Sequence, residues 1–217
     1  MSSNTYRIIL WSSVVGVIAL VVWGMVWLAR GGGQPKVYVP GVNEILSDDH
    51  VFGKTDSKVT LVEYADFECP ACGQMYPIVK KLEDAYGDKV RFVYRNFPIP
   101  GHVNGPAAAY AAGAAGNQGK FFEMAGLLFT NQAAWSVMDS GTLATALDAY
   151  AQSLGLNMDK FHADEASDAV KAKVDKDAQS GVKAGVDATP TFFLNGVQTN
   201  ARTYDEFKGE FDKALQS

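Results

Sequence analysis

Glu63-Tyr64-Ala65-Asp66-Phe67-Glu68-Cys69-Pro70-Ala71-Cys72 is the stretch on which the fold turns. Before it, Lys58 to Tyr64 is rich in β-branched and aromatic side chains and reads as a strand. After it, Pro70 to Tyr86 reads as a helix: Met75, Ile78, Val79, Leu82 and Tyr86 recur on one face, and Gly87 follows as a stop. Pro77 falls inside and removes one backbone donor. Val90 to Phe97 is a second strand, closed by Pro98 and Pro100. A strand–helix–strand unit of this length implies a parallel pair joined by a right-handed crossover.

Working outward, the next segments are helical. Candidate helices cover Pro106–Gly116, Phe121–Asn131, Gly141–Leu154 and Asp159–Val182, an inserted block at about 105–182. The Ala- and Gly-rich run from Gly105 to Gly116 reads as a closely packed helix, and Phe121, Phe122, Leu127, Leu128 and Phe129 as core. Thr191 to Leu194 resumes the sheet, and Asn195-Gly196 is a hairpin turn because both residues tolerate positive φ. A last helix opens at Thr203, with Glu206 completing a capping box. The fold class is α/β: βαβ, a helical block, then ββα.

The two cysteines, the only ones in the chain, sit at the strand-to-helix junction. Cys69 occupies the N-cap region, where unpaired N–H groups and the helix dipole favour negative charge. A thiolate is such a charge and is the reactive form of cysteine. Pro70 stands at the first helical position, where a missing N–H costs nothing. Cys72 lies one turn on and can attack a mixed disulfide formed at Cys69. A structural staple is a poor alternative, since closing so short a loop contributes only roughly 2 kcal/mol. A zinc site lacks ligands, because His50, His102 and His162 are not at finger-like spacing. The expected redox group is therefore the Cys69–Cys72 disulfide itself, with no separate cofactor. His102, in Pro98-Ile-Pro-Gly-His102, reads as a loop hydrogen-bonding residue.

Composition bounds the rest. Hydrophobic residues make up 47% of the 217, enough for one ordinary core, and the net charge is −5. With no basic run, a nucleic-acid partner is not expected. From Ile8 to Ala29 no residue is charged. About 22 residues at 1.5 Å each span the roughly 30 Å hydrocarbon layer. A cleaved signal peptide would have a shorter apolar region and small residues at a cleavage site, where Trp27 is bulky. One transmembrane helix is expected within residues 1–30, followed by a linker at 31–47 that begins Gly31-Gly-Gly-Gln-Pro35, and a domain at 48–217. The short N-terminal tail favours a cytoplasmic N-terminus, with the domain outside the cytoplasm.

The motif around Cys69 together with Ala188-Thr-Pro-Thr-Phe-Phe-Leu-Asn-Gly196 resembles the DsbA-like branch of the thioredoxin superfamily. The likeness covers about Asp48 to Ser217 and implies a thioredoxin fold carrying a helical insertion. It implies a thiol–disulfide oxidoreductase with Cys69 as nucleophile and Cys72 as resolving cysteine. Thr189-Pro190 matches the cis-proline dipeptide beside the disulfide, where substrate pairs. Glu63 matches a buried acid beneath the active site. Ala71 departs from the Pro-His dipeptide of the best-known oxidases, and Glu68 opposes a thiolate beside it. The expected activity is oxidation of cysteines in secreted or membrane proteins, with a membrane redox partner recycling the site. A reductase or isomerase, and a non-catalytic peptide-binding module, are the alternatives.

Overall fold

The computed structural model describes residues 11, 14–25 and 38–217. Contacts divide the chain into two units, Met1–Lys36 and Val37–Ser217. In the first, residues 14–25 are helical. Among the described residues no helix is long and apolar enough to cross a membrane. Both ends of the uncharged run, and most of the expected linker, lie outside the described residues.

The second unit is built on a five-stranded sheet in the order β1-β3-β2-β4-β5. Strand β2 (Thr60–Ala65), helix α1 (Pro70–Tyr86) and β3 (Arg91–Asn96) form the expected βαβ unit, with β2 and β3 parallel. Strands β4 (Thr191–Leu194) and β5 (Val197–Thr199) form the hairpin, and β4 runs antiparallel to β2. Its turn residues, Asn195 and Gly196, take φ of 49° and 78°, as the sequence requires. The capping box at Thr203 and Glu206 opens the last helix, α8 (Tyr204–Leu215). The mixed sheet and α/β order are those of the thioredoxin fold.

Two elements depart from the sequence reading. Strand β1 (His50–Gly53) was not expected; it pairs antiparallel with β3 along the sheet edge. Its signal is weak because only four residues are extended and its burial is partial. The helix expected over Asp159–Val182 is two, α6 (Met158–Ala166) and α7 (Asp168–Lys183). Ser167 breaks it by turning to φ −70° and ψ 145° and capping Val170 N–H with its side chain. Between β3 and α6 lie α2 (Gly105–Gly116), α3 (Phe121–Thr130), the short α4 (Gln132–Trp135) and α5 (Ser140–Ser153).

Alternation along the strands assigns the two faces. Leu61, Phe92 and Phe192 face α1 and α8, packed with Phe207 and Phe211. Val62, Tyr64, Val93 and Phe193 face the other way, toward Val186 and Val42. Val42 is buried, so part of the stretch expected as linker packs on the sheet. The helical block closes over Phe67, Cys69 and Cys72 with a core centred on α2. Its alanines, Ala108, Ala111, Ala112, Ala114 and Ala115, are fully buried, because small side chains let α2 be surrounded on all sides. Phe121, Leu128 and Phe129 are core as expected, whereas Phe122 and Leu127 are half-buried and line a cavity.

Candidate active site

Residues 66–69 turn the chain from β2 into α1. Cys69 is the N-cap of α1, at φ −68° and ψ 120°, with Pro70 in the first turn. Both cysteines are free thiols, 7% and 1% exposed for Cys69 and Cys72. The depth difference follows from helix geometry: Cys69 caps the end, while Cys72 is one turn inside on the face toward the sheet.

The two sulfurs have opposite surroundings. Cys69 is pulled down to about 5 by a hydrogen bond from the Cys72 thiol, against the opposing effect of burial, and further by Thr189 and the Cys72 and Ala71 amides. Cys72 is pushed up by burial, by its hydrogen bond to Cys69 and by the charge of Glu63. At neutral pH Cys69 is a thiolate and Cys72 a thiol.

Thr189 and Pro190 come from the far end of the chain to complete the site. Their peptide bond is cis, as the resemblance implied. In the thiol form Cys69 Sγ donates to the Thr189 carbonyl at 3.4 Å. The buried Thr189 hydroxyl has no partner there and is free to donate to a thiolate.

Glu63 lies on β2 opposite Tyr94 in β3. It is half-buried, and lines a cavity of about 760 Å³ walled by α1, α3 and the sheet. Burial, helped by the negative charge of Glu83, raises Glu63 to about 8. Glu83, on the same cavity, is raised to about 7, also by burial first.

Three features of the turn were not legible in the sequence. Asp66, buried, accepts the amides of Glu68 and Ile99 and bonds His102 Nδ1 at 2.6 Å. Glu68, expected to oppose the thiolate, spends its carboxylate elsewhere: Oε2 accepts the amides of Asn104 and Gly105 at 2.7 Å each, at the start of α2. Gln132, from the helical block, donates to the carbonyls of Phe67 and Cys69 at 2.6 and 2.9 Å. Gly73 makes room, since a Cβ there would sit 2.5 Å from Gln132 Oε1.

The family described as Thioredoxin matches residues 46–213. The chain belongs to the thioredoxin family. Among solved structures, this thioredoxin domain resembles BdbD from Bacillus subtilis, with a TM-score of 0.72 and 25% identity over 83% of this chain and 99% of that one. It also resembles a thioredoxin-like oxidoreductase from Silicibacter pomeroyi, with a TM-score of 0.66 and 27% identity over 79% and 95%. Alpha-DsbA1 of Wolbachia pipientis shares the fold, with a TM-score of 0.70 at 23% identity over 81% and 96%. Its fold is accordingly that of these thioredoxin-like proteins. Curated relatives are longer. The Na(+)/H(+) antiporter NhaA of Herminiimonas arsenicoxydans is 37% identical over 185 residues, 85% of this chain but 28% of that protein. NhaA 1 of Salinispora arenicola is 40% identical over 150 residues, 68% of this chain and 22% of that protein. The chain thus spans about a quarter of the length of the curated relatives it matches.

Proposed function

We propose that this domain exchanges disulfides through Cys69 and Cys72 in the net oxidising direction. Its substrates are then cysteine-containing secreted or membrane proteins. Cys69 forms the mixed disulfide with substrate as Cys72 leaves, the second substrate thiol then releases Cys69, Cys72 resolves the mixed disulfide in the reverse direction, and Glu63 passes a proton to or from Cys72. Thr189 and Pro190 present the backbone edge to which an extended substrate adds. The observation that carries the direction is the opposite tuning of the two sulfurs, with Cys69 at about 5. A stabilised thiolate stabilises the reduced protein, so the disulfide is given up readily. At pH 7, ionisation of a thiol at about 5 favours the reduced form some fiftyfold more than ionisation of one near the thioredoxin value of about 7. Converted at ~30 mV per tenfold, that raises the potential about 50 mV above −270 mV.

The same reading puts the domain outside the cytoplasm, single-pass and N-terminus inside, with a membrane redox partner reoxidising the site. The uncharged run from Ile8 to Ala29 supports the anchor. Relatives named for Na(+)/H(+) antiport support a membrane setting. Antiport itself is no part of the reading, because the matched stretch is the thioredoxin part. Equilibration of the purified protein with glutathione buffers tests the direction. A midpoint clearly less negative than about −270 mV is expected, and one at or below it would make the protein a reductase.

A further inference from the structure

Glu63 alternates with Leu61 along β2 and so faces α1, where Glu83 falls on the buried stripe with Val79 and Tyr86. Both border the cavity of about 760 Å³ between α1, α3 and the sheet, a volume within the roughly 300–1,000 Å³ of small-molecule sites. The other walls are mostly apolar and include the rings of Phe52, Phe92, Phe122 and Phe129. Gly119, Glu123 and Thr130 of the lining are exposed, so the cavity reaches the surface beside α3. Among the described residues the Glu63 carboxyl makes no hydrogen bond or ion pair, and no hydrogen bond reaches the Glu83 carboxyl. Tyr94, buried on the same lining, has a hydroxyl without a partner. Polar groups held among apolar walls call for partners, and here the chain supplies almost none. Lys80 is the one cation among the described lining residues, and it shows what a partner looks like. Its ammonium stands 3.9 Å from Glu83 Oε2 and 5.6 Å from the centre of the Phe52 ring, but its hydrogen bond goes to the exposed Asp84.

We propose that this cavity is a binding site for a small organic cation, an ammonium group carried on an aromatic or aliphatic body. The body packs against the phenylalanine rings. The ammonium donates to the Glu63 and Glu83 carboxylates and lies against an aromatic face, the two attractions that Lys80 already combines at the rim. A neutral ligand of the same shape leaves the carboxyls unpaired, and an anion adds a like charge beside them. Burial holds the two carboxyls at about 8 and about 7, as befits acids with no cation inside the cavity. A bound ammonium draws both back toward ionisation. The site is defined by binding, so it stands whether or not the domain exchanges disulfides.

Three probes built on one skeleton test this: phenethylammonium, phenethyl alcohol and phenylpropionate, titrated by calorimetry at pH 8 into the purified full chain. Phenethylammonium is expected to bind at least about tenfold more tightly than the alcohol or the propionate. Equal affinities, or no binding by any of the three, would overturn the proposal and leave a hydrated cavity. Variants locate the binding. Glu63→Gln combined with Glu83→Gln keeps the size of both side chains and should bring phenethylammonium down to the affinity of the alcohol. Glu83→Gln alone, the milder change, should already lose part of that preference. Glu123→Gln, at the rim and paired with Lys120 at 2.8 Å, should leave it unchanged. A loss at Glu123 as large as that of the double variant would assign the binding to general surface charge. A double variant that still prefers the cation would place the binding elsewhere, and either result sinks the proposal.

Discussion

Burial and one hydrogen bond separate the roles of two chemically identical side chains. The Cys72 thiol donates toward Cys69, which lowers one sulfur and raises the other. At neutral pH, alkylation of the reduced protein should modify Cys69 far faster than Cys72. Cys69→Ser should abolish exchange, while Cys72→Ser should accumulate mixed disulfides with substrate; equal alkylation rates would refute this division. Glu63 makes a pH prediction. Its folded pKa of about 8 lies above the 4.5 of an ordinary glutamate, so the native state holds the proton that the unfolded state has released. Between those values the Glu63 contribution to stability falls as pH rises, by at most about 1.4 kcal/mol per pH unit. In the reduced protein Cys69, lowered to about 5, adds an opposite slope, so the protein with its cysteines joined is the one to measure. Glu63→Gln removes the Glu63 slope and leaves that of Glu83, whose window ends near 7. Denaturant titrations of the oxidised protein at pH 5 and pH 8 should therefore differ less in the variant than in the parent.

At the scale of elements, the site depends on how closely helices approach the sheet. Helix α7 crosses β3 and β2 at Gly181, where a Cβ would lie 2.5 Å from the Phe97 ring and 3.0 Å from Tyr64. Both rings are in the core, and Tyr64 is wholly buried, so neither can swing away. Gly181→Ala should cost about 1–3 kcal/mol by overpacking, although alanine favours helix elsewhere. A thermal or urea midpoint that rises instead would show α7 to be more loosely seated than the contacts indicate. The α2–α7 contact has the same logic, since a Cβ at Gly113 would meet Val170 at 2.9 Å. Small residues in this block are there for close approach, and the break at Ser167 lets α6 and α7 take different directions over α2.

At the scale of the whole molecule, the unit Val37–Ser217 is tied together by a buried ion pair. Arg95, 2% exposed, reaches from β3 to Asp49 at 2.8 Å and also donates to the carbonyls of Val42 and Glu44 and to the Tyr64 hydroxyl. Lys173 of α7 joins the same carboxylate at 3.3 Å. One guanidinium thus fastens residues 42–49 to the sheet while Asp49 fastens α7. Arg95→Met would leave the buried Asp49 carboxylate with Lys173 and the Leu46 amide alone, and three acceptors without their donor. It should cost about 3–5 kcal/mol in urea unfolding. A loss below 1 kcal/mol would mean that water replaces the guanidinium.

Composition and order fixed much of this protein before any contact was known. Cys69-Pro-Ala-Cys72 after a β-branched run, the one-sided apolar pattern to Tyr86 and the Asn195-Gly196 turn each carry a local physical cause. Local causes are what sequence expresses, so βαβ, helical block and ββα were legible, as was the N-cap position of Cys69. Strand β1 was not, because four residues, three half-buried and one exposed, become a strand only when β3 supplies their hydrogen bonds. The seating of Gln132, the turning of Glu68 toward α2 and the meeting of Asp66 with His102 join residues 36 to 65 positions apart. No periodicity marks such pairs. They exist only once the helical block has folded back over the turn, where burial makes each polar group find a partner.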